Sequence, residues 1–161
     1  EDGSFGRASV PSGASTGIHE AIELRDNDKS RYNGKGVIKA VSNILQIIKP
    51  QIINKSFENI YNFDNAIIAI DGTINKSRLG ANATLALSLA FTKGLALQNK
   101  KQLFEYLSVD SEFVLPVPMM NIVNGGSHAD NNVDIQEFMI APIGAPTFSR
   151  HLGTDVKSFT P

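Results

Sequence analysis

Apolar residues recur every three to four positions through the middle of the chain, with polar residues between them. The first such stretch follows Gly36 and stops at Pro50, and proline normally ends a helix because its ring clashes with the preceding turn. The second stretch closes at Asp71-Gly72-Thr73, which is typical turn chemistry. The pattern predicts four helices, over residues 37–48, 57–70, 81–99 and 103–107.

Strand patterns lie on both sides of these helices. Residues 5–10 and 21–25 alternate weakly between apolar and polar types, which predicts two antiparallel strands of a small meander. The apolar, proline-punctuated run 113–123 and the run 135–140 predict two buried strands of a new sheet. We therefore expect one domain over residues 1–111 and a second over 112–161, with a weakly structured tail after about residue 146.

Composition narrows the class of protein. The chain has 161 residues, of which 42% are hydrophobic, enough for an ordinary core. Fifteen basic and sixteen acidic residues give a net charge of −1, so no basic field exists to attract nucleic acid or an anionic membrane. No apolar run approaches the roughly 20 residues of a membrane span. The lack of cysteine fits a reducing compartment, and we expect a cytoplasmic protein.

A glycine-rich loop follows the first predicted strand. Its sequence, Ser12-Gly-Ala-Ser-Thr-Gly17, holds three hydroxyls and two glycines in six residues. Such a loop offers oxygen ligands to a hard cation or donors to a phosphate. In isolation an ordinary surface loop is the better interpretation, since serine and glycine are common turn residues. The loop has neither the Gly-Lys-Ser/Thr ending of a P-loop nor the Gly-x-Gly-x-x-Gly of dinucleotide-binding proteins.

Two further residues are candidates for chemistry. His128 follows Gly125-Gly126-Ser127, a hinge-like position from which a side chain could swing onto a substrate, although single histidines are more often structural. Glu137 lies between Gln136 and apolar residues, which predicts a carboxylate on a buried strand. A buried carboxyl group can stay protonated near neutral pH and act as an acid. A structural salt bridge is the equally favoured alternative.

Ten short blocks, in order and spacing, carry a resemblance to a known family. The blocks are Val10-Pro-Ser-Gly-Ala-Ser-Thr-Gly17, Glu20-Ala-Ile-Glu-Leu-Arg-Asp26, Asp28-Lys-Ser-Arg-Tyr32, Gly34-Lys-Gly36, Asp71-Gly-Thr73, Asn75-Lys-Ser77, Gly80-Ala-Asn-Ala83, Leu115-Pro-Val-Pro118, Asn124-Gly-Gly-Ser-His-Ala129 and Gln136-Glu-Phe-Met-Ile140. Together they resemble the enolase family over roughly residues 1–146.

The resemblance implies a fold and a reaction. The implied class is α+β: an antiparallel meander with a helical cap, lacking its first strand, followed by the first two strands of an incomplete α/β barrel. The implied reaction is the reversible, Mg²⁺-dependent dehydration of 2-phosphoglycerate to phosphoenolpyruvate in glycolysis, catalysed by a homo-oligomeric phosphopyruvate hydratase. A lysine base and metal ions stabilise the carbanion in that superfamily.

The resemblance also implies roles for particular residues. Ser15 corresponds to the serine that chelates the second Mg²⁺, and it lies in a mobile loop made of Ser12, Gly13, Ala14, Ser15, Thr16 and Gly17. His128 and Gln136 correspond to substrate-binding residues. Glu137 corresponds to a residue that binds substrate and assists departure of hydroxide by protonating it.

The same comparison implies gaps in the catalytic set. The family's lysine base, the three carboxylates of its main Mg²⁺ site and its phosphate-binding arginine correspond to positions beyond Pro161, and the tail after residue 146 departs from the family pattern. We therefore expect a family fragment that is inactive in isolation and self-associates. The alternative from another class is a noncatalytic remnant or interaction segment that pairs with another chain.

Overall fold

Helices make up most of the ordered structure between residues 38 and 107. The computed structural model describes residues 3–13, 17–109, 112–144, 146–150 and 153. The chain divides into two units, Glu1–Val109 and Asp110–Pro161. In the first unit the elements are a 3₁₀ turn at Tyr32–Gly34, α1 (Ile38–Asn43), a π-helical segment (Ile44–Ile48), α2 (Lys49–Ile52), α3 (Ile60–Asp71), α4 (Ala81–Gln98) and α5 (Leu103–Leu107).

The first predicted helix is longer than the sequence pattern indicated. It runs without a break through α1, the π-helical segment and α2, so the prediction that Pro50 ends it is wrong. The π-helical segment supplies the reason. The amide of Lys49 donates to the carbonyl of Ile44, five residues earlier, and this wider turn lets the chain accept a proline near the start of α2.

The start of α1 is capped by Asp26, which lies 12 residues before Ile38 in the chain. The carboxylate of Asp26 accepts the backbone amides of Ile38 at 2.9 Å and Lys39 at 2.8 Å. The hydrogen bond from the Lys39 amide is the main cause that lowers the pKa of Asp26. Burial alone would raise this pKa, whereas the hydrogen bond from Ile38 and the positive charge of Arg31 lower it further. A carboxylate at this position also suits the positive end of the helix dipole.

The predicted helices α3, α4 and α5 are present. Asn59 caps α3 by accepting the amide of Asn62, which places the start of α3 three residues after the predicted one. Gly72 ends α3 with a left-handed conformation at φ 71°. The predicted bounds of α4 and α5 agree with the structure to within one residue.

The core of the first unit lies where α3 and α4 meet the π-helical segment. Its buried residues are Ile48, Phe63, Ile67 and Leu79. The rings of Phe63 and Phe91 stack at 3.9 Å, and Phe57 packs edge-on against both. These aromatic contacts join α3 to α4 and stabilise the pair beyond the area that they bury.

Regular strands do not form at residues 5–10 and 21–25, although the chain pattern predicts them there. The backbone of Ile22 instead donates to the carbonyl of Asn75 at 2.7 Å and accepts the amide of Ala81 at 2.7 Å. The side chain of Asn82 accepts the amide of Leu24 at 3.2 Å and donates to its carbonyl at 3.0 Å. Backbone groups that a meander would pair between strands are therefore paired with the connection between α3 and α4 and with the first residues of α4.

The second unit contains an antiparallel pair of strands, β1 (Met120–Asn124) and β2 (Glu137–Ile140). Met120 pairs with Ile140 and Asn124 with Glu137, and an irregularity in register falls between Asn121 and Val123. β2 lies within the predicted run 135–140, and β1 extends one residue beyond the predicted run 113–123. The prediction that they are buried is wrong, because most of their side chains are exposed.

The described part of the tail contains a helical turn. Residues 148–150 are helical, and the amide of Arg150 bonds to the carbonyl of Thr147 at 3.0 Å and to its hydroxyl at 3.3 Å. The expectation of a weakly structured tail otherwise falls outside the described residues. Among the helices of the described residues, none combines the length and apolarity needed to cross a membrane.

Candidate functional site

The glycine-rich loop is anchored at its first end by a charged pair. The guanidinium of Arg25 donates to the hydroxyl of Ser12 at 2.7 Å, and that hydroxyl donates to the carboxylate of Glu23 at 3.3 Å. Arg25 also forms an ion pair with Glu23 and donates to the carbonyl of Lys35 at 2.6 Å. Ser12 is thus tied to the segment that follows the loop.

The second end of the loop is closed by Glu20. Its carboxylate accepts the amide of Gly17 at 2.9 Å, and its own amide donates to the carbonyl of Gly17 at 3.2 Å. Ser12, Gly13 and Gly17 are exposed. Ala14, Ser15 and Thr16 lie outside the described residues, so the predicted metal ligand Ser15 stays a prediction.

In the second unit, three predicted site residues come together. The ring atom Nδ1 of His128 lies 3.2 Å from Oε1 of Glu137, and Nε2 lies 2.8 Å from Nε2 of Gln136. One imidazole therefore contacts a carboxylate on one side and an amide on the other. The side chains of His128 and Glu137 are 25% and 36% exposed, so a small molecule in solvent can reach both.

A tight glycine turn brings His128 back onto the start of β2. The amide of Gly125 donates to the carbonyl of Gln136 at 2.9 Å, and the amide of Gly126 donates to the carbonyl of Val133 at 2.7 Å. A Cβ atom on Gly125 would lie 2.3 Å from the carbonyl oxygen of Val133. Only glycine fits this close approach without movement of the backbone.

Asn131, which was not among the predicted site residues, fixes the other side of this turn. Its side chain donates to the carbonyl of Asn124 at 2.9 Å and accepts the amide of Val133 at 2.9 Å. The sequence signal was the polar run Asp130-Asn131-Asn132, since asparagine side chains commonly bond to nearby backbone groups in turns. Glu23 and Arg25 were missed as loop anchors, although residues two apart share a face in an extended segment.

The environment of Glu137 differs from the predicted one. Glu137 was expected on a buried strand, but its side chain is exposed because β2 has water on most of its surface. Its Oε1 atom lies 3.2 Å from Nδ1 of His128. An imidazole is charged only when protonated, so the alternative of a structural salt bridge stays a prediction. The chemistry of the site therefore depends on this contact and not on burial.

The contacts favour one arrangement of protons on the neutral ring. The amide nitrogen of Gln136 can only donate, so Nε2 of His128 accepts and Nδ1 carries the hydrogen that faces Glu137. The imidazole and the carboxylate thus face each other next to an open surface.

Two models of protein-family domains match this chain. Residues 1–107 match the family model described as enolase, N-terminal domain, and residues 112–160 match the one described as enolase, C-terminal TIM barrel domain. The fold of the described residues is α+β, with a helical first unit and a two-stranded sheet in the second. The chain belongs to the enolase family.

Proposed function

We propose that this chain takes part in the Mg²⁺-dependent dehydration of 2-phosphoglycerate to phosphoenolpyruvate, in the cytoplasm. The observation that carries this proposal is the contact of the His128 ring with both Gln136 and Glu137, in a chain that belongs to the enolase family. Hydroxide is a poor leaving group and departs more readily as water, so the elimination step needs a proton donor.

In the proposed step, the carbanion left by removal of the α-proton uses its electron pair to form the carbon–carbon double bond and the carbon–oxygen bond breaks. The carboxyl group of Glu137 gives its proton to the leaving hydroxyl oxygen. Water departs, and the resulting carboxylate accepts the Nδ1 hydrogen of His128 across the 3.2 Å contact. The amide of Gln136 holds the other ring nitrogen and so keeps the ring oriented. A positioned general acid of this kind contributes roughly 10²–10⁴-fold to a rate.

The glycine-rich loop would contribute by closing over the substrate, as its resemblance to the family implies. Its two ends are held by Arg25 with Glu23 and by Glu20, which fixes the points where the loop begins and ends. In this proposal Ser15 supplies oxygen ligands to a second Mg²⁺ ion. The ion's charge would stabilise negative charge that develops on the substrate.

The described residues do not form the main metal site. No three His, Asp or Glu side chains among them lie close enough together to hold a metal ion. The resemblance assigns the lysine base and the three Mg²⁺ carboxylates to later parts of the barrel. We infer that a polypeptide of these 161 residues supplies the general acid of the reaction but not its lysine base. Such a polypeptide would not convert 2-phosphoglycerate by itself.

An assay with the purified 161-residue chain tests both parts of this proposal. We expect no phosphoenolpyruvate above a heat-treated control when 2-phosphoglycerate and Mg²⁺ are supplied. We also expect 2-phosphoglycerate to shift the imidazole nitrogen signals of His128, while those of exposed His19 stay in place. Magnesium-dependent turnover that Ser15→Ala abolishes would overturn the inferred inactivity, and an unmoved His128 would count against the assigned site.

A second candidate function is that of an interaction segment. The observation that favours it is the exposure of β1 and β2, including Val123 at 43% and Phe138 at 44%. An antiparallel pair with open edges and apolar side chains can add a strand from another chain. Turnover by the purified chain would exclude a purely noncatalytic role.

A further inference from the structure

The loop between β1 and β2 carries His128, and one side chain joins the two ends of this loop. The amide group of Asn131 donates to the carbonyl of Asn124 at 2.9 Å and accepts the backbone amide of Val133 at 2.9 Å. Asn124 is the last residue of β1, and Val133 lies where the chain returns toward β2. A single side chain thus fixes both the point where the loop leaves β1 and the path on which it returns.

His128 is attached to this loop through backbone hydrogen bonds. Its amide donates to the carbonyl of Gly125 at 3.0 Å, next to the 3₁₀ turn Gly126–His128. The amide of Gly126 donates to the carbonyl of Val133 at 2.7 Å. Val133 therefore joins the side chain of Asn131 to the turn that holds the imidazole.

The same side chain relates the turn to Glu137. Asn124, whose carbonyl Asn131 holds, lies opposite Glu137 in the register of β1 and β2. Oε1 of Glu137 lies 3.2 Å from Nδ1 of His128, which is the upper end of the usual range for a hydrogen bond. A displacement of the turn by about 0.5 Å away from β2 would break this contact.

We propose that Asn131 is a positioning residue for the pair formed by His128 and Glu137. Its two hydrogen bonds hold the turn where Nδ1 faces the carboxylate. A carboxamide neither gives nor takes a proton near neutral pH, so its contribution is to geometry. This assignment rests on the proposed function, in which Glu137 protonates the leaving hydroxyl group. A misplacement of about 1 Å can lower a catalysed rate about 10²-fold.

Long-range proton–nitrogen spectra of the full 161-residue chain without substrate, at about pH 8, test this role. We expect Asn131→Ala to lower the ratio of Nδ1-protonated to Nε2-protonated His128 about tenfold, the effect of losing one hydrogen bond to a charged group. Asn131→Asp keeps the acceptor for Val133 and should give an intermediate ratio. Asn132→Ala removes the same group from the next, exposed residue and should leave the ratio unchanged. An unchanged ratio in Asn131→Ala, or an equal fall in Asn132→Ala, would overturn the proposal.

Hydrogen exchange separates positioning from general stability. Met120 pairs with Ile140 at the end of the sheet away from the loop, and protected amides there should stay protected in Asn131→Ala. Loss of that protection would show that Asn131 merely stabilises the sheet. In the unaltered chain the amide of Val133 should exchange slowly, because Asn131 accepts it. Rapid exchange at Val133 would contradict the assignment without the need for any variant.

Addition of 2-phosphoglycerate distinguishes this proposal from the function on which it rests. We expect the ligand to shift the ring nitrogen signals of His128 in the unaltered chain and to shift them less in Asn131→Ala. An equal shift in both proteins would count against the positioning role. No shift in the unaltered chain would overturn the proposed function, while the tautomer ratio, which needs no ligand, would still decide whether Asn131 orients the ring.

Discussion

The carboxylate of Asp71 accepts the backbone amide of Leu79 at 2.8 Å, and both residues are almost completely buried. The other carboxylate oxygen accepts the amide and the hydroxyl of Thr73. Asp71 is the last residue of α3, and Leu79 comes just before the N-cap of α4. A single side chain thus closes the connection between the two helices that build the core.

Replacing this carboxylate should destabilise the first unit. In Asp71→Asn one acceptor oxygen becomes an amide donor that faces another donor, so we expect the free energy of unfolding to fall by about 2 kcal/mol. Urea denaturation followed by circular dichroism measures this loss. Glu58→Gln is the matched control, since it makes the same change on an exposed side chain. Equal denaturation midpoints for the two variants would contradict the role of Asp71.

The stability of the first unit should also fall in acid. Burial alone would raise the pKa of Asp71, but hydrogen bonds from Thr73 and Leu79 outweigh it and hold that pKa below its ordinary value. The stabilisation is therefore complete above the unfolded pKa, near pH 4, and is lost as pH falls through the lower folded pKa. Denaturation from pH 6 to pH 2 should show a steeper decline in the unaltered chain than in Asp71→Asn. Parallel declines would show that Asp71 contributes nothing to the acid sensitivity.

Gly125→Ala should disrupt the turn that carries His128. The added methyl group would lie 2.3 Å from the carbonyl oxygen of Val133 and 2.5 Å from that of Ile135, so the backbone must move. We expect a loss of about 1–3 kcal/mol in the second unit and loss of protection from hydrogen exchange at β2 amides. Gly153→Ala is the control, because its Cβ would meet no described atom within 4 Å. Equal protection in both variants would exclude the close-packing argument.

The contacts of His128 predict which ring nitrogen carries hydrogen when the imidazole is neutral. At about pH 8, long-range proton–nitrogen spectra should show His128 protonated on Nδ1, the atom that faces Glu137. Glu137→Ala should shift the population toward hydrogen on Nε2, because the acceptor for the Nδ1 hydrogen is gone. Exposed His19 serves as an internal reference. Identical tautomers at both histidines would contradict the contact geometry.

Exposed apolar residues on β1 and β2 should make the chain self-associate. Val123 and Phe138 are paired across the two strands and are 43% and 44% exposed, and open strand edges recruit other strands. Light scattering after size exclusion should show mass that increases with concentration, and Phe138→Lys should reduce it. Ile74→Lys, at a fully exposed position of the first unit, is the control. A monodisperse monomer at all concentrations would refute this expectation.

The helices could be predicted because their signals are local. The end of α3 at Gly72 and the alanine- and leucine-rich composition of α4 depend on neighbouring residues alone. The prediction at Pro50 was wrong because a shift to five-residue hydrogen bonding leaves no mark in composition. The predicted meander was wrong because the partners of Ile22 are the distant residues Asn75 and Ala81.

The candidate site was predictable in part for the same reason. His128, Gln136 and Glu137 could be named from the glycine turn and the family motif, and the structure brings all three into contact. Exposure of Glu137 was not predictable from its apolar neighbours, since burial depends on what covers the strand. The two hydrogen bonds of the Asn131 side chain depend on the geometry of the turn. The run of polar residues indicated a turn but not this geometry.

The pairing of Leu24 with Asn82 has a consequence for the order of folding. These residues are 58 positions apart, and closing so long a loop costs entropy that local helix contacts do not. Leu24 lies next to Arg25, whose guanidinium holds Ser12 at the base of the glycine-rich loop. We therefore expect helix α4 to form before Leu24 docks onto it, and the segment that bears the loop anchor to become ordered late in folding.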